Sequence, residues 1–176
     1  MYPIFRHWFQ TGKASRLPAL AANEVHVSSH ICWPWDIDPW MELNNGRTLT
    51  LYDLGRIPMA IRLGLIAAFK KRGWTVAVAG VSVRYRRRVR AFQKFQMQSV
   101  LLGWDNRFVY VQQSMWRNGE ALSSSLCRWA ITDDKGILNP AIVAKELGWP
   151  EDSPKLPQYV KAWIEAEASR PWPPEI

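Results

Sequence analysis

The chain has 176 residues and a formal net charge of +8 at pH 7, and this length suits one domain with a sizeable core rather than two. An apolar fraction of 48% and a mean hydropathy of −0.22 exclude a disordered chain, and no apolar run reaches the roughly 18 residues of a membrane-spanning helix. The basic charge favours anionic partners, such as nucleic acid, phospholipid surfaces or phosphate-bearing small molecules, without choosing among them.

The few cysteines and histidines limit the chemistry that the chain can carry. Cys32 and Cys127 are the only cysteines, which predicts no disulfide framework and is typical of a reducing cytoplasm. His26 and His30 would share one side of a strand, but no third ligand stands near them in sequence, so we predict no metal site.

The first 23 residues are predicted to form an arm ahead of the main domain. Aromatic and aliphatic residues alternate there with Arg6, Lys13 and Arg16, a pattern compatible with a short amphipathic segment. Arg6 and His7 interrupt the apolar residues that a signal peptide would need. We expect the arm to pack on the domain, with contact to a membrane surface as the less favoured alternative.

The next elements are a half-buried strand over residues 24–33 and a helix that starts at about residue 46. Pro58 cannot continue a helix without losing a hydrogen bond, so we expect a kink there or a second helix that begins with it. The basic residues 70–72 followed by Gly73 predict the end of the helical part.

After Gly73 the apolar pattern changes to alternation, with turn residues between short runs. Four strands are predicted in this part, over residues 74–90, 92–104, 108–116 and 121–133. Two short helices should follow, over residues 141–147 and 157–170.

This order predicts an α+β fold in which a long helix lies in the concave face of an antiparallel sheet. The chain then divides into the arm at 1–23, a main domain at 24–138 and a helical extension at 139–176.

Residues 36–47 form the most informative stretch, because two carboxylates there precede two asparagines that can cap the helix. A carboxylate beside a helix N-terminus combines a base or nucleophile with backbone N–H donors for an oxyanion, which suits acyl transfer. Asp38 could activate water or attack a thioester carbonyl itself, with the N–H groups of Asn45 or Gly46 as donors. Alternatively, these residues only form a turn and a cap.

Residues 38–47, which read Asp-Pro-Trp-Met-Glu-Leu-Asn-Asn-Gly-Arg, resemble the Asp-x-x-Gly-His-Val-Asn-Asn-Ala-Arg signature of hotdog acyl-CoA thioesterases. The chain is similar to the 4-hydroxybenzoyl-CoA thioesterase and YbgC-like group over roughly residues 24–137. The resemblance implies a hotdog fold, a homodimer or a tetramer of dimers, and a site at the subunit interface. It also implies an acyl-CoA substrate and a catalytic Asp38, which leaves Asp36 as a turn residue.

The sequence departs from that signature where Met41 and Glu42 replace the usual Gly and His. Glu42 could be a second acid or base, an orienting group for Asp38, or a solvated loop carboxylate. Asp53, on the predicted helix, lies where related enzymes sometimes place a carboxylate. A partner for Arg56 three residues later is the favoured role for it.

Residues 84–90 carry most of the excess positive charge. If they form a strand, its period of two places four arginines on one face, namely Arg84, Arg86, Arg88 and Arg90. Guanidinium groups bind phosphate bidentately, so this row could hold the phosphates of coenzyme A, with Asn44 as a further substrate contact. A solvated face or a salt-bridged subunit seam are the alternatives.

We therefore predict a cytoplasmic acyl-CoA thioesterase that uses no cofactor beyond its coenzyme A thioester substrate. The alternative is a non-catalytic hotdog module that binds acyl thioesters or acts as a scaffold, suggested by the loss of the Gly-His pair. A nucleic-acid binder is disfavoured because the helix would fill the concave sheet face. A dehydratase is disfavoured because position 42 is not histidine, and residues 123–125 are expected to be strand serines rather than a nucleophile.

Overall fold

The structure is a computed structural model that describes residues 2–175. Its helices are α1 (Ile4–Ala14), α2 (Asn45–Arg62), α3 (Leu65–Arg72), α4 (Pro140–Glu146) and α5 (Gln158–Ser169), with a one-turn 3₁₀ helix at Pro34–Asp36. Its strands are β1 (His26–Ile31), β2 (Thr75–Tyr85), β3 (Lys94–Trp104), β4 (Val109–Arg117), β5 (Glu120–Asp133) and β6 (Gly136–Ile137). No helix among the described residues is long and apolar enough to cross a membrane.

The strands form one curled antiparallel sheet in the order β1-β3-β4-β5-β2, with the short β6 added beside β5. From β4 onward, each strand pairs with the one before it through a short turn, as closely spaced alternating runs predict. The predicted α+β hotdog architecture is confirmed, because α2 lies against the inner face of this sheet. The alternation of buried and exposed residues along β3 is the pattern of a strand with one face on the core.

The core lies between α2 and the concave face of the sheet. Leu51, Leu54 and Met59 of the helix are completely buried there. Gly55 allows the close approach, because a Cβ at that position would lie 2.4 Å from the Met97 Sδ atom of β3. The backbone of α2 at Gly55 therefore packs directly against the Met97 side chain of β3 at the centre of the domain.

Pro58 does not start a second helix, and that alternative is wrong. The helix α2 continues through the buried Pro58 as far as Arg62. An interior proline removes one helical hydrogen bond, but the buried residues on both sides of it keep the helix packed against the core. The break comes later, at Gly64, which adopts a left-handed conformation with φ 78°, and Gly73 ends α3 as predicted.

The two edges of the sheet differ in what covers them. Along β1, side chains of α1 donate hydrogen bonds to strand carbonyls, from Gln10 Nε2 to Ser29 O at 3.0 Å and from Arg6 to Ile31 O at 2.9 Å. The arm therefore packs on the domain, as expected. At the other edge, β2 pairs with β5 alone within the described chain, and its first residues are exposed. An open edge of this kind is a template for pairing with another strand.

Candidate active site

The loop between β1 and α2 folds into a tight turn over residues 37–43. A single backbone bridge joins Ile37 to Leu43, and the Asp38 N–H donates to the Glu42 carbonyl at 2.8 Å. Met41 closes the turn with a positive φ of 61°, where the family signature has the glycine that such a conformation favours.

Asp38 lies at the start of this turn, and its side chain is partly exposed. Its Oδ1 accepts a hydrogen bond from the Trp40 N–H at 2.9 Å and a long one from the Glu42 N–H at 3.5 Å. Its Oδ2 has no hydrogen bond and no ion pair within the described part of the chain. One oxygen is therefore oriented by the backbone, while the other is open to a water molecule or a substrate.

Asp36 lies two residues earlier and has a different environment. Its side chain is 0% exposed and lies between two guanidinium groups, 2.7 Å from Arg6 and 2.9 Å from Arg47. It also accepts the Trp33 N–H at 3.0 Å, which closes the 3₁₀ turn. The sequence assigned Asp36 to a turn, which is correct, but it missed that this carboxylate links α1 to α2.

The first turn of α2 supplies backbone donors. Asn44 caps the helix as predicted, because its Oδ1 accepts the Arg47 N–H at 3.1 Å. The N–H groups of Asn45 and Gly46 lie in the first turn of the helix, where the helix itself provides no carbonyl acceptor. Among the described residues, no other hydrogen-bond partner for them is found. Both residues are exposed, so the start of α2 is accessible beside the loop.

A cavity of about 230 Å³ opens beside this helix start. The predicted site residues that line it are Glu42, Asn45, Arg86 and Arg88. Four others lie outside the lining, namely Asp38, Asn44, Gly46 and Arg84. Asp38 is nevertheless connected to the cavity through Glu42, to which it is hydrogen-bonded across the turn.

Glu42 forms an ion pair across this cavity with Arg88, at 2.8 Å from its Nε. The Glu42 side chain is half-buried, so it is not simply a solvated loop carboxylate. Its charge is paired with the guanidinium of Arg88. The residue that replaces the usual histidine is therefore held in place by a cation from the opposite wall.

The arginine segment is not a strand along its whole length, and the predicted row on one face is wrong. β2 ends at Tyr85, and the N–H groups of Arg86 and Arg87 both donate to the Leu122 carbonyl, at 2.9 and 3.0 Å. The ladder ends there, so the arginines that follow spread around the cavity rim instead of alternating. Arg87 pairs with Glu120. Arg86, by contrast, forms no ion pair within the described chain.

The cavity wall also contains hydroxyl residues that were not selected from the sequence, namely Thr48, Tyr85 and Ser123. The Tyr85 hydroxyl lies 3.4 Å from the Asn45 carbonyl. Ser123 is hydrogen-bonded to the buried Tyr52 hydroxyl at 2.9 Å, whose pKa burial raises above its usual range. Residues 123–125 are strand residues, as predicted. The contact depends on sheet register, which sequence alternation alone does not give.

Other candidate groups are engaged elsewhere. Asp53 forms an ion pair with Arg56, the role favoured for it. Burial raises the pKa of the Cys32 thiol to about 11, so it is protonated at neutral pH. Burial, with Arg62 as a second cause, lowers the pKa of His26 to about 4. Burial and then Arg6 lower the pKa of His30 to about 3, so both imidazoles are neutral at pH 7.

Comparison with known proteins agrees with this architecture. The protein THEM6 of Xenopus laevis is 29% identical over 142 residues, which cover 79% of this chain and 67% of that protein. The THEM6 of Drosophila melanogaster is 27% identical over 139 residues, which cover 77% of this chain and 70% of that protein.

Solved structures share the fold at low sequence identity. The probable thioesterase YbaW of Escherichia coli superposes with a TM-score of 0.65 and 15% identity, covering 69% of this chain and 95% of its own. The DHNA-CoA thioesterase of Staphylococcus aureus gives a TM-score of 0.62 and 12% identity, covering 82% of this chain and 91% of its own.

The model of the thioesterase-like superfamily matches residues 32–164. This span begins after β1, just before the two aspartates, and includes α2, strands β2 to β6 and most of α5. It supports thioester hydrolysis as the general chemistry of the chain. The protein therefore belongs to the thioesterase-like superfamily and has its hotdog fold.

Proposed function

We propose that the protein is an acyl-CoA thioesterase in which Asp38 is the general base or the nucleophile. The observation that carries this proposal is the environment of Asp38. One of its oxygens is fixed by backbone N–H groups and the other is open, while the unpaired donors of α2 begin a few residues later. A carboxylate that served only a turn would need just the first of these features.

The reaction follows from this arrangement. In one route Asp38 takes a proton from water, and the resulting hydroxide adds to the thioester carbonyl. The tetrahedral intermediate then collapses and breaks the C–S bond, and the thiolate that leaves is protonated. In the other route the carboxylate adds to the carbonyl and expels the thiolate, and water then hydrolyses the mixed anhydride. In both routes the Asn45 and Gly46 N–H groups stabilise the carbonyl oxygen as it becomes negative. The products are a free carboxylic acid and coenzyme A.

The arginines around the cavity would hold the phosphates of the substrate. Arg86 is the best candidate, because no carboxylate within the described chain neutralises it. Arg87 is paired with Glu120 and Arg88 with Glu42, so the net attraction of these two arginines for a phosphate is smaller. Guanidinium groups suit this task because they match two phosphate oxygens at once.

A homodimer would complete this site. The edge of β2 is open, whereas that of β1 is bonded to α1. Pairing two copies along β2 would make one continuous sheet and bring a second subunit beside the cavity, because Tyr85 ends that strand in the cavity wall. Stacking two such dimers would give a tetramer, which light scattering distinguishes from the dimer.

The second candidate is a module that binds acyl thioesters without hydrolysing them. It is favoured by Glu42, which stands in place of the usual histidine and whose charge is already paired with Arg88. In that case the cavity would hold the thioester, while Asp38 would only shape the turn.

Release of free thiol from a series of aliphatic and aromatic acyl-CoAs separates the two candidates. We expect hydrolysis of at least one substrate, and its loss in Asp38→Asn. The exposed Asp134 in the turn before β6 supplies the matched control, and Asp134→Asn should hydrolyse at the wild-type rate. Unchanged release in Asp38→Asn would refute the catalytic role, and tight binding without release would favour the binding module.

A further inference from the structure

The helix α1 has the opposite polarity to that expected of a helix packed on a domain. Its polar residues face inward, where Arg6 binds Asp36 and Gln10 binds the edge of β1. Its aromatic residues face outward, with Phe5 83%, Trp8 65% and Phe9 69% exposed. A surface helix normally buries its apolar stripe against the domain. In this fold the apolar stripe of α1 stays exposed to solvent instead.

The exposed stripe continues into a groove between α1 and the outer side of β1 and β3. The groove has a volume of about 1170 Å³. Phe5 and Phe9 form part of one wall, and Trp33 and Trp116 contribute two more aromatic rings. These rings, namely Phe5, Trp8 and Phe9 of α1 with Trp33 and Trp116, form one surface that we call the aromatic face.

The aromatic face extends beyond the groove through rings that contact Trp33. Trp35 stacks on Trp33 with ring centroids 5.2 Å apart, and Phe92 packs edge-on at 6.4 Å. Phe92 has a positive φ of 65°, a conformation that is rare for a bulky residue. Both rings are nonetheless more than 60% exposed, so this backbone keeps apolar surface in contact with water.

The charges on this face are of one sign. Lys94 and Arg117 line the groove, Lys13 and Arg16 lie exposed at the end of α1, and no Asp or Glu is among the groove residues. A second copy of the chain bound through this face would place cations against cations. An anionic surface would neutralise them instead, while the aromatic rings entered its apolar layer.

We propose that the aromatic face docks the protein on an anionic phospholipid surface. In this arrangement Phe5, Trp8 and Phe9 enter the boundary between headgroups and acyl chains, where aromatic side chains are favoured. The cations around them bind lipid phosphates. The domain stays outside the bilayer, because only the outward stripe of α1 and the rings beside it are inserted.

Co-sedimentation with lipid vesicles tests this proposal on the full chain. The protein should bind vesicles of phosphatidylcholine mixed with phosphatidylglycerol, bind pure phosphatidylcholine vesicles far more weakly, and dissociate as salt screens the cations. Removal of the rings in the triple variant Phe5→Ser, Trp8→Ser, Phe9→Ser should weaken binding roughly tenfold or more. Failure of the wild-type protein to bind the mixed vesicles would overturn the proposal.

Trp172 supplies a matched control for the loss of an exposed aromatic ring. It is 89% exposed and follows α5, where Tyr159 contacts Gln112 and Trp163 contacts Tyr110. The helix thus runs toward the start of β4, away from the groove. Trp172→Ser should bind vesicles like the wild type, and a loss equal to that of the triple variant would contradict the assigned face.

A charge variant keeps the proposal testable if the triple variant folds poorly. Lys13→Gln with Arg16→Gln should lower affinity for the mixed vesicles roughly tenfold or more, because two cations near the anionic surface are lost. Light scattering distinguishes the other occupant of this face. A triple variant that changes oligomeric state but keeps vesicle binding would show that a second copy covers the aromatic face, and the proposal would be wrong.

Discussion

Asp36 and Asp38 are two residues apart in one loop, yet they lie in opposite environments. Asp36 is fully buried between Arg6 and Arg47. Asp38 is partly exposed and keeps one oxygen without a partner in the described chain. A carboxylate saturated by cations stabilises the fold, whereas a carboxylate with an open oxygen can react. The difference teaches that chemical type and spacing do not assign a role until the partners are known.

Asp38→Asn should give the largest effect on activity. The amide cannot serve as base or nucleophile, so we expect kcat to fall about 10²–10⁴-fold, the usual range for loss of a positioned acid or base. The amide oxygen can still accept the Trp40 N–H, so the stability should change little. Kinetics with an active acyl-CoA and a urea unfolding curve measure both quantities. A fall in the free energy of unfolding as large as that expected for Asp36→Asn would contradict the different roles assigned to the two aspartates.

Asp36→Asn should give the converse result. The substitution removes the buried negative charge that lies between the Arg6 and Arg47 guanidinium groups. We expect the free energy of unfolding to fall by about 3 kcal/mol, which is typical of a buried ion pair broken on one side. Urea denaturation measures this change. A variant as stable as the wild type would show that the buried pairs contribute nothing net to the fold.

Acidification should destabilise the protein through the two buried histidines of β1, the strand that leads into the loop. His26 and His30 have folded-state pKa values lowered to about 4 and about 3, below the usual unfolded value of about 6.5. The unfolded chain therefore binds more protons as the pH falls below that value, and each histidine should cost about 1 kcal/mol between pH 6.5 and 5.5.

Urea titrations at several pH values measure this loss in the wild type. The His26→Gln and His30→Gln variants should each reduce its slope. A pH dependence that is identical in the wild type and both variants would mean that other groups cause the acid sensitivity.

Asn44→Ala should have the smallest effect, and it should change both the stability and the activity. Asn44 caps α2 and donates its N–H to the Asp36 carbonyl at 3.0 Å. Loss of the cap should cost about 1 kcal/mol in unfolding free energy and should lower kcat, because the helix start carries the proposed oxyanion donors.

Asn139 caps α4 through the Ala141 N–H at 2.9 Å, which makes Asn139→Ala the matched control. It should cost a similar amount of stability with no change in kcat. If the two cap variants changed thiol release equally, the start of α2 would have no specific role in catalysis.

Much of the fold could be predicted from local patterns. Alternation and turn residues give β3, β4 and β5 nearly to their ends, and the asparagine pair gives the start of α2. Two errors share one cause, because tertiary packing outweighed a local preference. Pro58 lies inside a helix packed on the core, and the arginine segment leaves the sheet where the Leu122 carbonyl takes two N–H groups.

The candidate site could be predicted only in part. The residue types and their order identified Asp38, Glu42 and the cap, because these belong to one continuous stretch. Tyr85 and Ser123 were missed because they reach the cavity from separate strands, and their positions depend on sheet register. The pairing of Glu42 with Arg88 was missed because the two residues lie in separate loops that only the folded chain brings together.

The sequence by itself determined the periodicity, the turns and the helix cap, since these depend on neighbouring residues and backbone preference. Only the tertiary structure decided which aspartate is buried, because Arg6 comes from α1, 30 residues before Asp36 in the chain. It also decided that the aromatic stripe of α1 faces outward. Amphipathicity defines two faces of a helix, but hydrogen bonds from Arg6 and Gln10 to the edge of β1 determine which of the two faces packs on the domain.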